Sequence, residues 1–211
     1  MLTIAGERRE IARFVPLSAH ARRGYLAVLA LQGAALIVLA VPWHDHPLAA
    51  GAWWASMALL ALWLLHFDLA CRAGIARTGW ALHTARCLRL GYAWLALAGG
   101  WGVANALRGM PLDAPGPLHM LLLGFVFAMV FGHAPIVLPA LLRRAIAAPS
   151  AITLAPVLVM SAGVALRGLG DALGAAPLRA GAGALQTLAI LAFAAVMLTR
   201  LRRPSPPLSA R

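Results

Sequence analysis

An all-α fold, a polytopic membrane helix bundle of about six spans with both termini cytoplasmic, is what the sequence predicts, and three observations predict it. The first is composition: 62% of the residues are hydrophobic and 11% are charged, with a mean hydropathy of +0.83. Soluble domains lie nearer one half apolar and one quarter charged. The second is the series of apolar runs, each near the roughly 20 residues that cross a bilayer as a helix. The third is the placement of arginine, which alternates between the connections.

The runs lie near 25–42, 50–69, 90–107, 118–142, 151–166 and 178–198, the fifth being the shortest. The arm before the first run holds Arg8, Arg9, Arg13, Arg22 and Arg23, and the second connection holds Arg72, Arg77, Arg86 and Arg89. Arg143 and Arg144 lie in the fourth connection, and Arg200, Arg202, Arg203 and Arg211 in the tail. The other three connections hold only Arg108, Arg167 and Arg179. By the positive-inside rule the arginine-rich side is cytoplasmic. The domain organisation expected is a cytoplasmic N-terminal arm over 1–24, a six-helix membrane domain over 25–200, and a disordered cytoplasmic tail over 201–211. The bacterial cytoplasmic (inner) membrane is the expected location, with the lipid bilayer as the principal partner.

The first run is a poor signal peptide, because it is long, follows a charged arm and lacks a clear small-residue cleavage site. The tail "RRPSPPLSAR" has a disordered composition. The formal net charge of +12 does not indicate nucleic acid: every basic residue is Arg, and no basic stripe interleaved with aromatics occurs. Cys71 and Cys87 fall near the cytoplasmic face, where thiols stay reduced, so no disulfide is expected. No C-x-x-C-H, Walker loop, dinucleotide fingerprint, serine elbow or H-E-x-x-H occurs, which excludes covalent c-type haem attachment.

Seven histidines remain as candidate functional groups. His44 and His46, in "VPWHDHP", fall in the first outer connection, and His119 falls at the outer end of the fourth helix. His66 lies near the inner end of the second helix. His83 belongs to the inner interface with Arg86 and Arg89, where a belt of snorkelling side chains is expected. His133 lies about nine residues from Arg143, roughly 13 Å inside the boundary. Fourteen α-helical steps bring His133 to within about 40° of the direction of His119 and about 21 Å away along the axis. Two imidazoles at that spacing suit two stacked b-type haems, one near each leaflet, because a neutral imidazole nitrogen ligates iron. His44 or His46 would then face His119, and His66 would face His133.

Structural readings stand beside these. His119 can sit in the headgroups, and His66 and the histidines of the outer turn need no ligand. Pro135 has no N–H and so frees the carbonyl of Phe131, which His133 could satisfy, as it could a carbonyl on a neighbouring helix. Imidazole also suits copper, for which His44, His46 and His119 are the candidate ligands.

"CLRLGYAWLALAGGWGVANAL" followed by "LHMLLLGFVFAMVFGHAPIVLP" resembles the later helices of the NnrS-type membrane proteins. In that pattern a "GY-W" helix precedes one that opens with "LH" and ends in "GH", and His119 and His133 match those positions. Trp43, His44 and His46 match the family's early "WHxHE" element. The segment over 118–139 is also similar, more distantly, to the haem-ligating helix of haem–copper oxidase main subunits. The resemblance covers about half the chain. Pro47 stands where that family has Glu, "GHAP" replaces "GHT", and about six spans stand where it has about twelve. It implies haem b, with copper, in electron transfer or the nitric-oxide response, with a redox partner and a homodimer that rebuilds the missing half. Gly91, Gly99, Gly124, Gly132, Gly181 and Gly183 would permit close helix approach. A different class, a histidine-lined transporter or metal-handling channel using Asp45, is the alternative. A membrane subunit without cofactor is a third reading.

Overall fold

Polar capping and proline placement set most of the helix boundaries in the computed structural model, which describes residues 17–40, 47–72 and 77–201. Helix α1 spans Ala19–Leu39, and the side chain of Ser18 caps it by accepting from the Ala21 amide at 3.2 Å. It begins inside the segment expected as an arm. Helix α2 spans Pro47–Phe67 and α3 spans Gly79–Leu107. Helix α4 runs Pro115–Leu142, with its first turn led by prolines, where a missing N–H costs nothing. Helix α5 spans Ala155–Ala172 after a 3₁₀ turn over Ala151–Leu154, and α6 spans Ala176–Arg200. Gly109 and Gly174, with φ of +68° and +65°, follow the ends of α3 and α5, where the left-handed conformation closes the last turn without a Cβ clash.

The described residues therefore form an all-α bundle of six helices, and the protein is a multi-pass membrane protein. Five of the six helices are long and apolar enough to cross a membrane. The fifth run, shortest in the sequence, becomes a 22-residue candidate span once its 3₁₀ lead-in is included. Helix α3 is the one outside that group. Its 29 residues reach about 43 Å at 1.5 Å each, so length is not the reason. The helix starts well before the apolar run at 90–107 and carries His83, Thr84, Arg86 and Arg89 in its first turns.

Helix α3 is also the centre of the bundle. One hydrophobic cluster joins its Leu88, Tyr92 and Leu95 to Trp54, Met57 and Leu64 of α2 and to Phe125 and Met129 of α4. A second joins its Cys87 and Trp94 to Phe131 of α4, Met160 and Val164 of α5, and Phe193 of α6. Of its polar residues His83 is buried against α4, while Arg86 and Arg89 stay exposed at the arginine-rich end. Helix α1 is peripheral. It docks through Tyr25, whose ring lies 4.7 Å from that of Trp63, and through a bond from the Trp63 indole to the Ala21 carbonyl at 3.0 Å.

Close approach of the helices rests on glycine. A Cβ on Gly99 would lie 2.6 Å from the backbone of Ala58, and one on Gly102 would enter the Trp54 ring at 2.1 Å. Gly124 receives Trp94, Gly91 receives Ala128, and Gly132 receives Cys87. Four of the glycines expected to serve helix approach, Gly91, Gly99, Gly124 and Gly132, are thus occupied inside this chain. Gly183 has open space around its Cβ position, and Gly181 makes only an ordinary contact at 3.8 Å. A second copy would have to use a different surface from those four.

Candidate functional site at the seam of α3 and α4

Helix α4 carries two of the leading histidines and is irregular between them. Residues Met120–Val126 form a π-helical segment, in which the hydrogen bond reaches back five residues and a turn takes up one more residue than an α-turn. Fourteen residues then advance like about thirteen α-helical steps, so His119 and His133 diverge by about 140°, not about 40°. The expectation of one shared face is corrected on this ground. Trp94 of α3 packs against Gly124 at the middle of the segment.

Each of these histidines is half-buried and tethered to its own helix. The Nδ1 of His119 lies 2.5 Å from the carbonyl of Pro115, and the Nδ1 of His133 lies 2.7 Å from that of Met129. A carbonyl can only accept, so Nδ1 carries the proton in both and Nε2 keeps its lone pair in the neutral ring. His133 therefore does not serve the Phe131 carbonyl. Around it, Val130, Ile136 and Val137 are exposed while Met129 and Gly132 are buried, so it stands at the border of the packed and outward faces of α4.

The donor to Phe131 comes from α3. His83, 3% exposed, sends Nε2 to the Phe131 carbonyl at 3.2 Å. Pro135 removes the helical donor of that carbonyl, and a second helix replaces it. One residue on, the Thr84 hydroxyl lies 2.7 Å from the Gly132 carbonyl. Cys87, fully buried, sits 3.6 Å from His83 Nε2, and the Trp80 ring stands edge-on to the imidazole at 5.3 Å. His83 is consequently no interfacial side chain, in contrast to the expected snorkelling belt. The signal was present in the sequence: a proline inside an apolar helix orphans one carbonyl, and a polar residue must answer it.

His66 is exposed on α2, with its ring edge-on to Phe67 at 4.6 Å. Helices α2 and α4 both pack on α3, so a pairing of His66 with His133 would have to be made around that helix. His44 and His46 lie outside the described residues. Among the described residues, no three His, Cys, Asp or Glu side chains gather as a metal-holding group.

The arginine-rich end is firmly assembled. The Trp80 indole donates to the Ala147 carbonyl at 3.1 Å, Arg200 donates to the Ala148 carbonyl at 2.7 Å and to Ser150, and the Ala147 amide donates to the Arg200 carbonyl at 3.0 Å. Arg89 donates to the Ala70 carbonyl at 2.7 Å, and Asp68 caps the short 3₁₀ turn Leu69–Cys71 through the Ala70 amide. Beside them, burial pushes the Cys71 thiol above its ordinary value, and Asp68 adds to the shift. Cys71 and Cys87 are both free thiols. At the opposite end Asp171 lies 3.9 Å from Arg167 and 4.0 Å from Arg179, so two of the three arginines there share one carboxylate, which offsets one positive charge and sharpens the charge asymmetry.

Comparison with curated proteins and with solved structures gave no match. A family model does match, over residues 1–202, and it is described as a domain of unknown function. That match takes in all six helices and nearly the whole chain, so the protein belongs to the DUF8744 family.

Proposed function

We propose that the protein is a haem-b-binding component of the bacterial cytoplasmic membrane, related to the NnrS-type proteins, that acts in electron transfer or in nitric-oxide binding. The observation that carries this reading is the state of the two histidines on α4. Each donates Nδ1–H to a carbonyl one turn back, at 2.5 Å and 2.7 Å, which leaves Nε2 as the lone-pair atom. Metal-ligating histidines are oriented in this way, because the second-shell bond fixes the tautomer and raises the basicity of the ligating nitrogen. The residues fit the group as nitrogen donors, and the iron would supply the redox or gas-binding chemistry. The chain's own contribution is to fix the two rings and to surround them with apolar residues that keep water away.

His119 would hold the group nearer the arginine-poor side, with His44, His46 or a second chain completing its iron, and His133 the deeper one, with a second chain, or His66 reaching around α3, completing it. Copper at His44, His46 and His119 belongs to the same reading. A redox partner would dock on the cytoplasmic side or the opposite one according to the direction of electron flow. The test is a visible absorption spectrum of the full chain purified in detergent after expression with ample haem supply. A sharp Soret band with haem near stoichiometric amounts is expected. A protein that is folded and pure yet carries no haem sinks the reading and returns the histidine-lined transporter to the front.

A further inference from the structure

At the arginine-rich end, between the first turns of α3 and the 3₁₀ lead-in of α5, lies a cavity of about 410 Å³. Among the residues that line it are His83, Arg86, Ser150 and Thr153, with Leu82 and Leu154 as its apolar walls. Beside it runs a groove of about 450 Å³ between α3 and α5, lined by Arg86, Arg89, Leu90, Ala93, Val157 and Leu158, together with Leu154. The two share Arg86 and Leu154, so a chamber with a few polar groups continues into an almost wholly apolar trough.

Two properties of the pair point to a ligand. Arg86 is exposed and forms no hydrogen bond or ion pair among the described residues, whereas neighbouring Arg89 is tied to Ala70. His83 lines the chamber, is 3% exposed, and has a buried Nδ1 with no partner, because its other nitrogen is committed to Phe131. With Nε2 donating, Nδ1 is an acceptor.

We propose that the chamber and groove hold one phospholipid with an anionic phosphate and a hydroxyl-bearing headgroup, of the phosphatidylglycerol type, drawn from the leaflet on the arginine-rich side. Arg86 takes the phosphate. His83 Nδ1 accepts from a hydroxyl of the headgroup, which a choline headgroup, with neither O–H nor N–H, cannot offer. An acyl chain lies in the groove along Leu90, Ala93, Val157 and Leu158. The assignment follows from charge and chemistry together: an unpaired cation, an orphan acceptor and an apolar trough, in that order. It is independent of haem binding.

The test uses the full chain in detergent, stripped of lipid, with thermal unfolding and native mass spectrometry as readouts. Phosphatidylglycerol, phosphatidylcholine and the soluble headgroup glycerol 3-phosphate are added in turn. Phosphatidylglycerol should raise the unfolding temperature and remain bound as one molecule per chain, while the other two give little shift. Arg86→Gln, at an exposed position, should leave the stripped protein's stability unchanged and weaken phosphatidylglycerol binding about ten- to a hundredfold, the effect of losing one charge-assisted contact. Ala93→Trp should block the groove and give a similar loss with Arg86 intact. Equal shifts with phosphatidylcholine, an undiminished effect in Arg86→Gln, or an equal effect of the soluble headgroup would each overturn the proposal.

Discussion

His83 of α3 donates through Nε2 to the carbonyl of Phe131 on α4, and that carbonyl is the one Pro135 deprives of its own helical donor. The bond therefore closes a gap that proline opens, in a medium where no water stands by to close it. Replacing His83 by Ala should leave a buried carbonyl unpaired and cost about 1–3 kcal/mol. In a Pro135→Ala background the residue at 135 regains an N–H, and the same replacement should cost about 1 kcal/mol less. Thermal unfolding of the four proteins in detergent gives the coupling. Strictly additive costs would show that the two residues do not serve the same carbonyl.

Glycine substitutions should separate the packed seams from the open faces. Gly102→Ala would drive a methyl into the Trp54 ring and Gly99→Ala would press on the Ala58 backbone, at 2.1 Å and 2.6 Å. Overpacking of this kind costs about 1–3 kcal/mol or more. Gly100 and Gly183 have nothing within 4 Å of the Cβ position, so Ala there should be neutral or stabilise by up to about 1 kcal/mol. Unfolding temperatures of the four variants check the pattern, and equal effects across them would contradict the interhelical contacts.

Topology is open to direct measurement. Helix α3 carries Arg86 and Arg89 and falls outside the five apolar candidate spans, yet it is enclosed by α2 and α4. If it crosses, reporter fusions after Arg144 and after Arg203 should both report the cytoplasm, and a fusion near Asp113 should report the other side. A cytoplasmic report near Asp113 would mean that α3 does not cross.

Much of this architecture is legible in the sequence because bilayer thickness fixes helix length and the arginines mark the connections. The apolar runs at 50–69, 118–142 and 178–198 fall within three residues of α2, α4 and α6 at both ends. Apolar content alone misplaces the start of α3, whose first turns direct His83 and Thr84 towards α4 and leave Arg86 and Arg89 exposed. The site is less legible. A sequence displays Pro135 and the carbonyl that it frees, but the partner on α3 depends on how the two helices cross, and that crossing is set by Gly132 meeting Cys87. The π-helical segment is similarly hidden, since seven residues of "MLLLGFV" read as ordinary helix, and it alone changes the bearing of His119 relative to His133.

That change of bearing shapes the last prediction. With about 140° between them, the two histidines of α4 cannot present Nε2 to ligands stacked on one face, so any haem held by one should be separate from any held by the other. Neither ring is needed to satisfy its carbonyl partner, because Pro115 and Met129 each retain the helical N–H four residues on. His119→Ala and His133→Ala should therefore lose less than about 1 kcal/mol each, unlike His83→Ala. On the haem reading, each variant should lose its own part of the low-spin spectrum and keep the other, and the double variant should lose both. Visible spectra of the three proteins, with helical content from circular dichroism as the folding control, decide the matter. Loss of all haem in one single variant would indicate one shared site and contradict the divergence. Full retention in the folded double variant would remove both histidines from the ligand set.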